Sequence, residues 1–160
     1  MSNPETSPQA KAYVPAIEAA TSSLGLQSIA APVHDGTEIE RAIAAIGREP
    51  GGGLVLPSDV FTFTNRELVV RLADQYRVPA VYSFREFAES GGLMSYGVDL
   101  VIQFRQAAQY VNRILKGEQP GELPAQGPTK FQMILNVKTA KGQGLSIPDK
   151  LLARADEVIE

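Results

Sequence analysis

The sequence predicts an α/β fold with a doubly wound, mostly parallel sheet. Two observations predict it. Short apolar runs such as Leu54–Leu56 alternate with amphipathic helical patterns of about a dozen residues. The connections are short and carry Gly and Pro, which is the rhythm of right-handed βαβ units.

Taken in order, the first helical pattern runs from Thr6 to Ser23, with Ala10, Tyr13, Val14, Ile17 and Ala20 at 3–4 spacing. Pro15 predicts a kink or a late start, and Gly25 a stop. Leu26–Val33 reads as a strand. Thr37-Glu38-Ile39-Glu40 has the spacing of a capping box and opens a helix to about Ile46. Gly51–Gly53 leads into the apolar strand Leu54–Leu56, suited to a central parallel position. A second capping box, Thr64–Glu67, opens a helix to about Tyr76.

Val78–Ser83 is the next strand, with Pro79 tolerated near its start. Phe84–Glu89 is a short helix stopped by Gly91-Gly92, and Leu93–Val98 is extended. Asp99 caps a helix over Leu100–Lys116, whose stripe is Phe104, Ala107, Ala108, Val111, Ile114 and Leu115. Residues 118–130 are rich in Gly and Pro and form a surface crossing. Phe131–Val137 alternates as a strand with one buried face. Lys138–Gln143 is a short helix, and Pro148 opens a last helix running through Leu152 and Val158.

Composition narrows the chemistry. The chain has 160 residues, so one domain or one lobe of something larger is expected. A net charge of -3 argues against a broad nucleic-acid footprint. With no Cys there is no disulfide, thiolate metal site or Cys nucleophile. With one His, a multi-His metal centre is excluded. No apolar run is long enough to span a membrane, and MSNPETSPQAKAY lacks the pattern of a secretory signal. The Gly51–Gly53 run precedes a strand, whereas a dinucleotide fingerprint follows one. Neither a Walker motif nor a Gly-x-Ser-x-Gly elbow is present. His34-Asp35 reads as a solvated loop, and no pair of carboxylates stands out for acid–base work. No catalytic residue, metal ligand or cofactor is expected.

Binding is better supported. Ligands of open parallel sheets lie beyond the carboxyl ends of the strands. There the sequence puts Ser58-Asp59 and Ser83. Asn3 to Ser7 opens the first helix, where free N–H groups with the Thr6 and Ser7 hydroxyls can hold an anion or simply cap. Asp59 is placed to meet a ligand amine. Tyr96 belongs either to the core or to a cleft, and Asp99 to a cap.

Several phrases, in order over nearly the whole chain, carry a resemblance. They are Asn3-Pro4-Glu5-Thr6 with Ala16–Ala20, Ala31–Asp35 with Glu38–Ile43, and Gly52–Asp59. The most specific is Ser95-Tyr96-Gly97-Val98-Asp99, continued by Phe104–Ala108 and Ile114–Glu118. Leu123-Pro124, Pro128–Phe131, Asn136 and Leu152–Glu157 complete it. Together they resemble the C-terminal half of ABC transporter substrate-binding proteins with the type I periplasmic-binding fold, in the tryptophan- and tyrosine-type subgroup.

The resemblance implies one lobe of that fold, with its first strand and the other lobe missing. Residues 1–98 would be the second ligand-binding lobe, 99–117 a helix crossing to the first, and 118–160 the return crossing and last elements. It implies no enzyme, but capture of a small solute, amino-acid-like or aromatic, for delivery to a permease from the periplasm. Asn3, Thr6, Ser7, Asp59, Ser83 and Tyr96 would bind that solute. Expressed without a signal, the chain would stay in the cytoplasm. Strand edges left unpaired beside the missing first strand would favour a homo-oligomer. Ser83-Phe84-Arg85 departs from the Pro-Phe-Arg of many relatives. The alternative reading is a stand-alone flavodoxin-like or regulatory domain that binds a small molecule.

Overall fold

The computed structural model describes residues 1–160, apart from the side chain of Lys11. Five strands form one sheet in the order β1 (Leu54–Leu56), β2 (Ala80–Tyr82), β3 (Met94–Val98), β4 (Phe131–Asn136) and β5 (Glu157–Ile159). Only the β3–β4 pair is antiparallel. The α/β class and the mostly parallel sheet are therefore as expected. Eight helices accompany the strands: α1 (Ala10–Ser23), α2 (Gly36–Ile46), α3 (Val60–Thr64), α4 (Arg66–Gln75), α5 (Arg85–Glu89), α6 (Leu100–Leu115), α7 (Val137–Gly142) and α8 (Asp149–Leu152). No described helix is long and apolar enough to cross a membrane.

The core follows from the apolar runs. Leu54, Leu56, Ala80 and Tyr82 point inward from β1 and β2. Ile39 and Ile43 of α2 and Val69, Val70 and Leu72 of α4 pack against them. The helix stripes at 3–4 spacing thus bury one face, as their periodicity requires.

Four elements differ from the expectation. Leu26–Val33 is not a strand; its one ladder contact is an isolated bridge between Ser2 and Pro32. Leu26 and Ile29 are 60% and 77% exposed, and only Val33 at the end of the run reaches the core. The cap of α2 is Asp35, not Thr37. Asp35 Oδ1 accepts from the Glu38 N–H at 2.8 Å, and the Glu38 carboxylate accepts from the His34 N–H at 2.7 Å. The device is a capping box displaced by two residues, with Glu38 reaching the N–H of His34, one residue ahead of the cap. Asp59 opens an extra short helix, α3, and α4 follows from Asn65 with no side-chain cap, so the Thr64–Glu67 box does not form. The last helix stops at Leu152, and Glu157–Ile159 is a strand beside β4. Asp156 starts it by accepting from the Met133 N–H at 2.9 Å.

The chain's first residues lie between Pro32 and β1. The Ser2 N–H donates to Ala31 O, and the Val33 N–H donates to Ser2 O. The Met1 amine donates to Val55 O at 2.9 Å. Burial pushes that amine's pKa down to about 6, against the pull of Asp59. Met1 and Ser2 therefore stand where the expected gap was, and they supply partners to both of its sides.

Tyr82 is 1% exposed, with its ring stacked on Phe87 at 4.5 Å and 9°. Its hydroxyl has no hydrogen-bond partner, and burial pushes its ionisation well up. An orphaned buried hydroxyl costs stability. Tyr82→Phe is expected to raise stability by about 1 kcal/mol in urea melts. A loss of that size would instead show a partner for the hydroxyl.

Candidate functional site

A cleft of about 650 Å³ opens beyond the carboxyl ends of the parallel strands. Its floor comes from the residues that follow them: Pro57 and Ser58 after β1, and Ser83 and Phe84 after β2. Tyr96 to Val98 of β3 form a third side. α1 and the first turn of α6 flank the opening, through Tyr13 and Ile17 on one and Leu100 and Gln103 on the other. Fold topology explains the location, since parallel strands deliver their carboxyl ends to one edge of the sheet.

An aromatic pair marks one wall. Tyr96 faces Met133 across the antiparallel β3–β4 ladder, and Phe131 lies two residues along from Met133 on the same strand face. That diagonal brings the rings together, with centroids 5.9 Å apart and planes 18° from parallel. Both rings are about half exposed, at 52% and 48%. Gly97, between Tyr96 and Val98, brings β3 against the Ser83 carbonyl, leaving no room there for a side chain.

The six residues singled out by the sequence divide into two groups. Ser83 and Tyr96 border the cleft. Asn3, Thr6, Ser7 and Asp59 are not among its lining residues; they form a network behind Ser58. Asp59 is 2% exposed. Its Oδ1 accepts from Thr6 Oγ1 at 2.6 Å and from the Phe61 N–H at 3.2 Å. Its Oδ2 accepts from the Asn3 N–H at 3.0 Å and the Thr62 N–H at 3.3 Å. Burial works against the charge, but these four bonds outweigh it and hold the carboxyl below its usual range.

Asp59 is thus the cap of α3 and the anchor of the N-terminal segment. Its oxygens, expected to meet a ligand amine, here accept four hydrogen bonds from the chain itself.

The helix start differs from the expectation. Residues 4–6 and 8–9 form turns and α1 begins only at Ala10, with three of the N–H groups of this segment engaged locally. The Glu5 N–H donates to Asn3 Oδ1, the Ser7 N–H to Asn3 O, and the Ala10 N–H to Ser7 O. Ser7 is 1% exposed and donates its hydroxyl to Ser58 O at 3.2 Å. Gln9 donates to the same carbonyl at 3.1 Å. These residues brace the cleft's floor from behind.

Sequence reasoning missed Phe84, Phe131, Gln103 and the α1 face. The rule that flagged Ser83 applies equally to Phe84, one residue on. Tyr13, Ile17 and Ala20, noted in the sequence only for their 3–4 helical spacing, line the cleft. His34 lies elsewhere, its Nδ1 3.0 Å from Glu38 Oε2 on the surface. Among the described residues there is no group of three or more His, Asp or Glu able to hold a metal.

A twisted, mostly parallel sheet with a cleft at its strand ends defines one lobe of the periplasmic-binding-protein type. Residues 4–159 match the family model described as ABC transporter substrate binding protein, so the chain belongs to that family. A conserved domain protein from Vibrio cholerae superposes with a TM-score of 0.85 at 24% identity, over 98% of this chain and 52% of that one. The ABC domain of a Streptococcus pneumonia protein, solved in complex with L-tryptophan, gives 0.81 at 23% identity, over 94% and 52%. A substrate-binding protein with adhesive properties from Clostridium difficile, in its ligand-free open structure, gives 0.68 at 18%, over 94% and 50%. The chain therefore spans about half the length of these solved relatives. No curated protein matches it.

Proposed function

We propose that the chain supplies one ligand-binding lobe of a substrate-binding component of an ABC importer. Its work is capture of a small organic solute, amino-acid-like or aromatic, in the periplasm, for delivery to permease subunits, with no bond made or broken. The observation that carries this reading is the open cleft at the strand ends, bordered by Ser83 and the Tyr96–Phe131 pair. Residues 1–98 would form the lobe, 99–117 the helix that crosses to a second lobe, and 118–160 the return.

The crossing role is supported by α6. Asp99 caps it, with Oδ1 accepting from the Ile102 N–H at 3.1 Å, yet the helix buries none of its residues. Its stripe points outward, with Phe104 73% and Leu115 82% exposed. A soluble helix with that amphipathic pattern is built to lie against something.

A cleft between two lobes encloses roughly 70–90% of its ligand, and one wall encloses far less. The 160-residue chain is therefore expected to bind amino acids, aromatic acids and amides no more tightly than about millimolar, or about -4 kcal/mol. Calorimetry and amide chemical shifts at the cleft residues test this. A submicromolar ligand would favour a stand-alone binding domain over a lobe. Complete silence of the cleft residues towards every solute would defeat the site itself.

A further inference from the structure

Residues 10–30, α1 and the stretch after it, are tied to the rest of the molecule only at their two ends. Among the described residues none from Pro8 to Pro32 is buried. Between Ala10 and Ala30 every described hydrogen bond is local, made within the segment or to Ser7 and Gln9 just ahead of it. α1 packs closely against no other described helix or strand, whereas α2 buries Ile39 and Ile43 and lies against α4.

The two ends meet at one place. Ahead of the segment, Ser7 and Gln9 donate to Ser58 O and Thr6 donates to Asp59. Behind it, Ala31 O accepts from the Ser2 N–H, and the buried Val33 donates to Ser2 O. Ser2 and the turns that follow it therefore form one stem for both tethers.

Helix physics says where the segment gains by going. α1 has no side-chain cap at Gln9, no acid in its first turn and no base in its last, and Pro15 removes one of its donors. A helix of 14 residues is marginal in water unless it buries an apolar face. Its face at 3–4 spacing, Tyr13, Ala16, Ile17 and Ala20, looks into the cleft. Across the opening Leu100, Tyr96 and Phe131 are exposed as well. Bringing α1 down would hide both apolar surfaces from water.

We propose that residues 10–30 form a flap hinged on that stem, and that α1 shuts over the cleft by swinging as a body towards the first turn of α6. The movement lies within this lobe and is separate from any motion of one lobe against another. It needs no solute, because the two apolar surfaces suffice.

NMR of the 160-residue chain tests it. Cα shifts should stay helical over α1, while its amides exchange at least about tenfold faster than those of α2. The chain has no Cys, so Gln103→Cys, on the exposed first turn of α6, can carry a single spin label. That label should broaden the amides of Tyr13, Ile17 and Ala20 beyond what their separation in the open structure allows, since brief visits to the shut state bring them close. Ser7→Ala combined with Gln9→Ala cuts two ties of the stem and should speed exchange in α1 further while α2 and α4 stay protected. Equal loosening of α2 and α4 would overturn the hinge. Amides of α1 as protected as those of α2 would overturn the flap, and so would coil-like shifts over α1, which mean melting in place of swinging. Broadening no greater than the open separation gives would overturn the shutting.

Discussion

Asp59→Ala is expected to destabilise the chain by about 2–4 kcal/mol, because each buried donor left without an acceptor costs about 1–3 kcal/mol. Loss of the helix cap alone costs about 0.5–2 kcal/mol. The Asn3 N–H is then left without its buried acceptor, and Thr6 loses its partner 53 positions away. A domain holds only about 5–15 kcal/mol in all, so the variant should melt far earlier in urea or heat. Asp59→Asn keeps one acceptor oxygen and should fall between.

The acid side carries the same signature. The folded carboxyl sits below its usual range, so the unfolded chain takes up the proton first as pH falls. The stabilisation is complete above about pH 4 and is lost as pH drops through the folded value. That loss should be missing from Asp59→Ala. A variant that melts like the parent would overturn the anchoring role.

Gly97→Ala comes next in size. A methyl group there would collide with the Ser83 carbonyl oxygen and press on the carbon behind it. Both partners are backbone at the floor of the cleft, so no side chain can rotate away. The strands must separate, and overpacking of this kind costs about 3 kcal/mol, with larger losses where backbone is involved. The expected result is a lower urea midpoint together with shifted amide signals at Ser83, Tyr96 and Val98. A melt within about 1 kcal/mol of the parent would show that the two strands already have room to part.

What could be read in advance depended on whether the signal was local. Leu54–Leu56 and the caps of α2 and α6 rest on neighbouring residues, so they were legible, although that strand stands at the edge of the sheet and not at its centre, and the α2 cap is displaced from Thr37 to Asp35. Leu26–Val33 has the composition of a strand, but a strand exists only through its partner, and only Ser2 reaches it. Glu157–Ile159 was read as helix because three residues carry no period, and its pairing with β4 is set by register across 23 positions.

The site divides the same way. Ser83 and the position of Asp59 follow from the rule about strand ends. The employment of Asp59 by Thr6 and Asn3 does not, because that contact joins residues more than fifty positions apart. Phe131 entered the cleft only once β3 and β4 were known to be antiparallel.

The β3–β4 pairing also has a consequence for the order of events during synthesis. β1, β2 and β3 are complete once Val98 has been made, but the partner of β3 ends at Asn136. At ordinary rates of about 5–20 residues per second, the wait for those intervening residues is roughly 2–8 s. Throughout it β3 presents an open edge on the growing chain, and Ser95, 2% exposed in the finished fold, faces solvent or a stranger. The nascent protein is thus most open to wrong pairing in mid-synthesis, and slow codons between positions 98 and 131 would lengthen that window.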